Sequence, residues 1–473
     1  MKRTAIWILI LLSTLVFSGC ATTGTTDPRS LTFAPLDFQL PKAERVVLTN
    51  GMIVYLLADH ELPQITITGY VRTGSAYEPE DKVGLAALTG HILRSGGAES
   101  IPPEQIDDEL EFMASSVESS IGQDAGTAMM NSLTKNFDRT LAIYAQVLMK
   151  PLFRQDRFEV ALKQTIEQIR RQNDDPKQLA DRELTKAVYQ GSPLGRIPTV
   201  ATVSAITRPD LIDFHRRYYR PNNMILAIAG DFQREELLAK LEQAFSGWQP
   251  AEVTLPSVQP PTTVTDPDIL YSPKQISQSV IRMGHLGIDK SNPDLYAIRV
   301  MDSILGSNGF NSRLMAEIRT NRGLAYSVGS YFDIGRCFIG TFEAQTETKA
   351  GATVKTIRLM EDIIAGMTKE QVTDEELQLA KESIVNSFIF GFTNPASVVS
   401  QQARLEYYGY PPEYLEKYRE RISEVTKEEV LRVANEYLHP DRLIRVVVGE
   451  QEKFDEPLSA LGKVREVRPE QAR

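Results

Sequence analysis

Two stretches of the chain decide its fold: ITRPDLIDFHRRYYRPNNMILAIAGD, Ile206 to Asp231, and VTKEEVLRVANEYLHPDRLIRVVVGE, Val425 to Glu450. They align without a gap over 26 residues at a constant spacing of 219. Each begins near a Thr that a carboxylate follows three residues later, which is typical of a capped helix start. Each then passes a proline and enters an apolar strand that closes at a glycine. A match this long, at a period far beyond that of a solenoid, indicates a duplicated domain.

The elements around each copy predict an α+β fold of two homologous halves, with helices packed on mainly antiparallel sheets. Alternating apolar residues indicate strands, and longer periodic stretches indicate helices. The predicted elements are a hairpin at Asn50-Gly51, strands at 65–72, 277–283 and 326–332, a helix that begins at Gly84, and helices at 155–172, 295–305 and 374–390.

A proline-rich run after Gln249 divides the chain into halves of similar size and predicts a linker between them. The predicted organisation is a signal peptide at 1–19, a tether at 20–45, an N-terminal domain at 46–250, the linker at 251–265, a C-terminal domain at 266–450 and a tail at 451–473.

The N-terminus has the features of a bacterial lipoprotein signal peptide. Lys2 and Arg3 precede an apolar run that is short for a membrane span, and small residues lead to Cys20. We interpret Cys20 as the lipidated mature N-terminus, with an ordinary secreted protein or an N-terminal membrane anchor as alternatives. Cys20 is followed by Ala21 rather than by Asp, and in this the sequence resembles lipoproteins that are sorted to an outer membrane. The sequence therefore predicts a lipid-anchored protein of the cell envelope, on the periplasmic face of the outer membrane.

Composition excludes several classes of function. With 473 residues, 42% of them hydrophobic, the chain can build full cores and is no disordered scaffold. Its formal net charge is −10, and no concentrated basic patch predicts nucleic-acid binding. Because acylation would use Cys20, Cys337 would have no partner in the chain, and no disulfide framework is expected.

The segment GLAALTGHIL, Gly84 to Leu93, resembles the zinc helix of the insulinase and pitrilysin-like metallopeptidases, a family that includes mitochondrial-processing-peptidase-like proteins. In that family it reads GLAHFLEHML, where two His bind zinc and the Glu between them is the base. The three positions here hold Ala87, Gly90 and His91. Two ligand or base positions thus carry side chains that can neither bind a metal nor activate water.

A further zinc ligand of the family, a Glu on a later helix, is also replaced. The run EQIRRQNDDP, Glu167 to Pro176, resembles the end of that helix, and the spacing from His91 places Gln168 at the ligand position. Among the five His of the chain, none has HxxE or HxxH spacing. The resemblance therefore implies a degenerate zinc site, with no metal cofactor in this chain and no catalysis by this chain alone.

The second half keeps a different part of the family's site. The segment LGSNGFNSRLMAEIRTNRGLAYSVGSY, Leu305 to Tyr331, closely resembles the family's glycine-rich loop, helix and strand. There an Arg and a Tyr seven residues apart hold the substrate backbone, and Arg319 with Tyr326 matches that pair. The alternatives are an Arg that favours the helix C-terminus and a core Tyr. The loop from Gly306 to Gly309 is interpreted as a packing turn.

The residues from Ser115 to Ile121 lie where the family has an edge strand that takes up substrate peptide, although an ordinary edge strand fits as well. Two functions remain open. The first is a non-catalytic subunit that supplies Arg319 and Tyr326 to a zinc-bearing insulinase-like partner chain that cleaves peptides. The second is a scaffold, peptide-binding or assembly protein of the envelope, similar to the non-catalytic chains of respiratory-complex cores.

Overall fold

The duplicated stretch forms the same elements in both halves of the computed structural model, which describes residues 39–468. The helix Arg208–Tyr218 recurs as Lys427–Tyr437, and the turn Pro221–Asn223 recurs as Pro440–Arg442, each at the spacing of 219 seen in the sequence. The capping signals form as predicted, since the Thr207 N–H donates to Asp210 and the Thr426 N–H donates to Glu429. The duplication is therefore confirmed.

The first half contains six strands and eight α-helices within the described residues. The strands are β1 Glu44–Val47, β2 Ile53–Ala58, β3 Gln64–Val71, β4 Ser116–Ile121, β5 Gly126–Leu133 and β6 Met224–Gly230. The helices are α1 Leu85–Ser95, α2 Pro103–Phe112, α3 Phe137–Met149, α4 Gln155–Arg171, α5 Pro176–Val188, α6 Val200–Ser204, α7 Arg208–Tyr218 and α8 Arg234–Ala244.

The second half repeats this plan with more irregular helices. The strands are β7 Ile269–Pro273, β8 Gln278–Leu286, β9 Ile288–Asp289, β10 Ala325–Phe332, β11 Ile334–Gly335, β12 Thr341–Lys349, β13 Ile444–Gly449 and β14 Val464–Glu466. The α-helices are α9 Leu295–Asp302, α10 Thr353–Met367, α11 Asp374–Ser387, α12 Pro395–Tyr408, α13 Tyr414–Glu424 and α14 Lys427–Tyr437. Two π-helical segments, Ser303–Ser307 and Met315–Asn321, lie between α9 and β10.

Each half is built on a six-stranded sheet. The strand order is β1-β2-β6-β3-β5-β4 in the first sheet and β10-β12-β8-β13-β7-β14 in the second. Only the pairs β2–β6, β7–β13 and β7–β14 are parallel, and every other pair within these two sheets is antiparallel. The predicted α+β class with mainly antiparallel sheets is confirmed, and the edge strands β4 and β10 occupy matching places.

One helix of each half packs against the sheet of the other half. Helix α12 covers the outer face of β2 and β6, where Val399, Ala403 and Tyr407 are buried. Helix α5 covers the outer face of β8 and β13 with Leu184 and Val188. The opposite face of each sheet carries its own large apolar core, covered mostly by helices of the same half. The halves are thus joined by an exchange of helices as well as by the linker.

The segments at the sequence-predicted boundaries are packed rather than free. The Thr262 N–H donates to Gln190 O at 2.8 Å, which holds the proline-rich run to the end of α5. The stretch that the sequence assigns to a tail includes β14, which pairs with β7. Strand β1 begins at Glu44, inside the predicted tether. Within residues 39–468, no helix is long and apolar enough to cross a membrane, and Cys20 lies outside the described residues.

Candidate functional site

A buried carboxylate caps the helix that carries the degenerate zinc positions. Gly84 precedes α1 with φ 108°, a left-handed conformation that favours glycine. The Glu78 carboxylate accepts hydrogen bonds from the N–H groups of Gly84 at 3.0 Å and Ala86 at 2.5 Å. Burial raises the pKa of Glu78 to about 7, against the lowering effect of these two bonds. Glu78 therefore stabilises the start of α1, a role that its distance from the helix in sequence did not reveal.

The structure places the four degenerate positions on two neighbouring helices. Ala87 and His91 are exposed on α1, and Gln168 is exposed on α4, which packs against α1. Gly90 is buried against β4, where Ser119 Oγ donates to Gly90 O at 2.6 Å. A Cβ built on Gly90 would lie 2.6 Å from Ile121 N. Helix and strand are therefore closer than any side chain at this position would allow.

The second half offers an internal comparison for Gly90. Residues of the two sheets can be matched by following the strand pairing outward from β6 in the first sheet and from β13 in the second. Ser119 and Ile121 of β4 then match Ser330 and Phe332 of β10. The Asp302 carboxylate accepts from Ser330 Oγ at 2.7 Å and from the Phe332 N–H at 3.1 Å. Asp302 thus takes in the second half the place of Gly90 in the first, and burial raises its pKa.

The zinc ion that catalytic members of the resembled family bind does not fit these residues. A catalytic zinc site takes three protein ligands, usually His and carboxylates. His91 is the one side chain of that kind at the three ligand positions, because Ala87 and Gln168 occupy the others. Throughout residues 39–468, no group of three or more His, Cys, Asp or Glu could hold a metal ion.

Arg319 and Tyr326, the pair predicted in the second half, lie in contact, and Phe310 contacts Arg319 as well. The Arg319 Cζ lies 4.5 Å from the ring centroid of Tyr326 and 4.6 Å from that of Phe310. Both rings are largely in solvent, with Tyr326 80% and Phe310 65% exposed. No described residue forms a hydrogen bond or ion pair with the guanidinium of Arg319 or with the hydroxyl of Tyr326. Their donors are therefore available to a ligand.

Arg319 and Tyr326 each lie at an irregularity of the backbone. Arg319 belongs to the π-helical segment Met315–Asn321, and a β-bulge shifts the register between Ala325 and Val328, so Tyr326 and Ser327 are both exposed. The matching helix and strand of the first half, α2 and β4, have no such π-turn or shift. Both kinds of irregularity are enriched at functional sites. The duplicated fold therefore departs from its regular plan where the pair lies.

The loop before the π-helical segment positions Phe310, which sequence analysis did not single out. Ser383 Oγ of α11 donates to Asn308 Oδ1 at 2.8 Å, which ties the loop to that helix before Phe310, and Ser312 Oγ donates to Gly309 O at 2.7 Å across Phe310. Of the loop interpreted as a packing turn, Gly306 lies in the π-helical segment and packs closely on β10, since a Cβ there would lie 2.2 Å from Ser330 N, whereas a Cβ on Gly309 would meet nothing within 4 Å. A single Phe among polar residues in SNGFNS was the available signal.

The predicted edge strand forms as β4 Ser116–Ile121 at the end of the first sheet. Exposed Glu118 and Ser120 alternate with buried Val117 and Ile121, although Ser119 bonds to Gly90. Phe112, which is 91% exposed, lies just before this strand. Uptake of a peptide by β4 stays a prediction.

The fold and the site together define a duplicated α+β peptidase-like chain that lacks a zinc ligand set and brings Arg319 and Tyr326 into contact. The profile described as Insulinase (Peptidase family M16) matches residues 53–201, and that described as Peptidase M16 inactive domain matches residues 205–384. The chain belongs to the insulinase family, peptidase family M16.

Known proteins resemble the chain over most of its length. A crystal structure of a peptidase M16 inactive domain from Pseudomonas fluorescens is 27% identical, with a TM-score of 0.78 over 86% of this chain and 98% of that one. A Helicobacter pylori protease, 19% identical, shares the fold with a TM-score of 0.77 over 87% of this chain and all of that one. A protein of Mycobacterium leprae named as an uncharacterized zinc protease is 25% identical over 84% of this chain and 89% of that protein.

Proposed function

We propose that this protein is a lipid-anchored, non-catalytic subunit of an insulinase-like metallopeptidase complex. It supplies Arg319 and Tyr326 to a partner chain that carries the zinc and cleaves peptides. The observation that carries the proposal is the half-buried Arg319 guanidinium, which contacts two exposed rings and has no hydrogen-bond partner among the described residues. Such donors can hold a peptide carbonyl or a developing oxyanion.

Two further observations support a divided active site. The positions of Ala87, Gly90 and Gln168 offer neither a full ligand set nor a base, whereas the second half keeps its pair on a π-turn and a β-bulge. Irregular backbone costs free energy and persists where other contacts stabilise it. A chain retained only as a scaffold needs neither residue. We therefore favour the subunit over the scaffold or assembly protein, and reconstitution of the complex separates the two.

Reconstitution with a zinc-bearing insulinase-like chain from the same organism tests this function. Addition of the present chain is expected to raise hydrolysis of a fluorogenic peptide, with zinc bound stoichiometrically to the partner alone by elemental analysis. Arg319→Ala and Tyr326→Phe are each expected to lower hydrolysis by about one to three orders of magnitude, typical of losing an oxyanion donor. Arg322→Ala is the control, since Arg322 pairs with Glu317 and not with the site. Unchanged hydrolysis in both site variants would favour the scaffold.

The anchor is the second part of the proposal. Acylation of Cys20 would hold the chain on a membrane, because several acyl chains together make membrane attachment stable. Ala21 at the following position favours the periplasmic face of the outer membrane. Incorporation of labelled palmitate into the wild-type chain, and its absence in Cys20→Ala, is the expected result. A labelled Cys20→Ala chain, or an unlabelled wild type, would contradict lipidation at this residue.

A further inference from the structure

Phe310 shares the guanidinium of Arg319 with Tyr326, although only the other two residues belong to the matched pair. A cation near an aromatic face is attracted by the ring's negative quadrupole, and both ring centroids lie within 4.6 Å of Arg319 Cζ. These contacts use no N–H group. The guanidinium is thereby fixed in place while all its hydrogen-bond donors stay available.

The loop that carries Phe310 is built to hold an exposed ring. Besides the bonds of Asn308 and Ser312, Arg313 forms a two-point ion pair with Glu376, at 2.6 and 2.8 Å, at the start of α11. The contacts of Asn308 and Arg313 with α11 hold the loop on both sides of Phe310, yet this residue is 65% exposed. Phe310 and Tyr326 contact the same guanidinium, so their exposed apolar areas are neighbours, and exposed apolar patches mark binding surfaces.

We propose that Phe310 is a positioning and specificity residue, and that Phe310, Arg319 and Tyr326 form a clamp for peptides with a large apolar side chain beside the oxygen that Arg319 holds. The inference rests on the proposed function and adds the substrate class. A guanidinium binds oxygen acceptors along its N–H edges, in its own plane. The two exposed rings then provide apolar area next to the bound oxygen.

The apolar preference follows from what borders that oxygen. A Leu or Phe side chain would cover exposed area on Phe310 and Tyr326, whereas an Asp side chain would compete for Arg319 and place a charge against apolar rings. The oxygen can belong to an internal carbonyl or to the C-terminal carboxylate, since both fit a guanidinium edge.

Peptide binding by the purified full chain tests the clamp. The probes are fluorescein-labelled decapeptides of Ala, Gly and Ser with a single Leu or a single Asp, each with a free or an amidated C-terminus, and affinity is measured by anisotropy. The Leu peptide is expected to bind at least threefold more tightly than the Asp peptide. Loss of affinity on amidation assigns the held oxygen to the terminal carboxylate, and unchanged affinity assigns it to an internal carbonyl.

Variants separate the clamp from the pair alone. Phe310→Leu, which keeps an apolar side chain without a ring, is expected to lower affinity for the Leu peptide about three- to tenfold, and Phe310→Tyr is expected to restore it. Phe390→Leu is the matched control, because Phe390 is an exposed Phe of the same half that lies outside the clamp. Thermal melting checks that each variant is folded.

The outcomes are distinguishable from those of the proposed function. If Arg319→Ala abolishes binding while Phe310→Leu binds like the wild type, the clamp is wrong and the pair stands. If the ratio of the affinities for the Leu and Asp peptides is the same in Phe310→Leu as in the wild type, the specificity role of Phe310 is wrong. If Arg319→Ala also binds both peptides like the wild type, the clamp and the proposed use of the pair both fail.

Discussion

Glu78 is a buried acid with a structural task at the start of α1. The residue is 6% exposed, and its carboxylate oxygens accept from two backbone N–H groups that no helical carbonyl can reach. Arg196 donates to the Glu78 carbonyl oxygen at 3.2 Å and lowers the pKa of the carboxyl slightly, but burial dominates and raises this pKa to about 7. Protonation of this one residue is therefore linked to folding.

The pH dependence of stability should change when Glu78 is replaced by Gln. Between pH 4.5 and about 7 the folded chain keeps the Glu78 proton, whereas the unfolded chain has lost it, so this residue's contribution to stability falls as pH rises. Relative to Glu78→Gln, the wild type should lose up to about 3 kcal/mol of unfolding free energy across this window. Urea unfolding at four pH values measures the difference. Glu80→Gln, at an exposed neighbouring acid, is the control, and parallel profiles of wild type and Glu78→Gln would contradict the assignment.

At this scale the sequence predicted Arg319 and Tyr326 but not Phe310 or Glu78. Identity and spacing within a motif point to residues that the family shares. A contact such as that of Phe310 with Arg319 depends on where a loop is anchored, here through Asn308. No periodicity encodes that placement, because the loop has none.

Helix α1 and strand β4 approach one another closely because Gly90 has no side chain. The Gly90 carbonyl accepts from Ser119, and the space that a Cβ needs is filled by the backbone of Ser120 and Ile121. In the second half, Asp302 bridges helix and strand at the matching place through its carboxylate. Gly90 therefore makes through its backbone the helix–strand contact that Asp302 makes through its side chain.

Gly90→Ala is expected to destabilise the chain although alanine favours helices. The intrinsic gain of about 1 kcal/mol is outweighed by overpacking of about 1–3 kcal/mol, because the obstructing atoms are backbone. Gly366→Ala is the matched control, since Gly366 lies in helix α10 and a Cβ there would meet nothing within 4 Å, so this variant should be neutral or stabilising. Denaturant midpoints of both variants are the measurement. An equal gain for both would show that β4 can move away.

Sequence predicted the regular elements well because their signals are local. The helix expected at 155–172 forms as α4 Gln155–Arg171, and the capping signal of Thr373 with Glu376 begins α11. The strand expected at 326–332 forms as β10, but its alternation fails at Tyr326 and Ser327. A bulge depends on the partner strand as well as on the chain itself, so it was not visible in the pattern.

The whole molecule is held together by exchanged helices, which the sequence did not predict. An amphipathic pattern shows that a helix has an apolar face but not which sheet covers it. Helix α12 adds polar contacts to its apolar face: Tyr407 Oη lies 3.0 Å from Val71 O and 2.9 Å from Asp124 O, and Glu406 pairs with Arg45. At the other junction, Arg282, which is 3% exposed, donates to Asp181 of α5 at 2.6 Å.

A cut in the linker should leave the two halves bound to each other, whereas neither half should fold alone. Without α12, the first half would expose the apolar residues that β6 turns toward it, Ile225, Ala227 and Ala229, and without α5 the second half would expose Val446 and Val448. Insertion of a protease site after Pro260, followed by cleavage and gel filtration, is expected to give a single species of unchanged size. Separately produced halves are expected to aggregate, and co-expression should rescue both.

The matched comparison is Tyr407→Phe in the cleaved protein. Removing the hydroxyl leaves the Val71 and Asp124 carbonyls without this partner, at a cost of about 1–3 kcal/mol, and lowers the urea concentration at which the halves separate. Tyr331→Phe is the control, because the Tyr331 hydroxyl bonds to Glu343 within the second half. If either half alone unfolded cooperatively with the stability of the intact chain, the exchanged helices would not be what joins the halves. The duplicated fold would then be two independent domains whose mutual contact adds nothing to their stability.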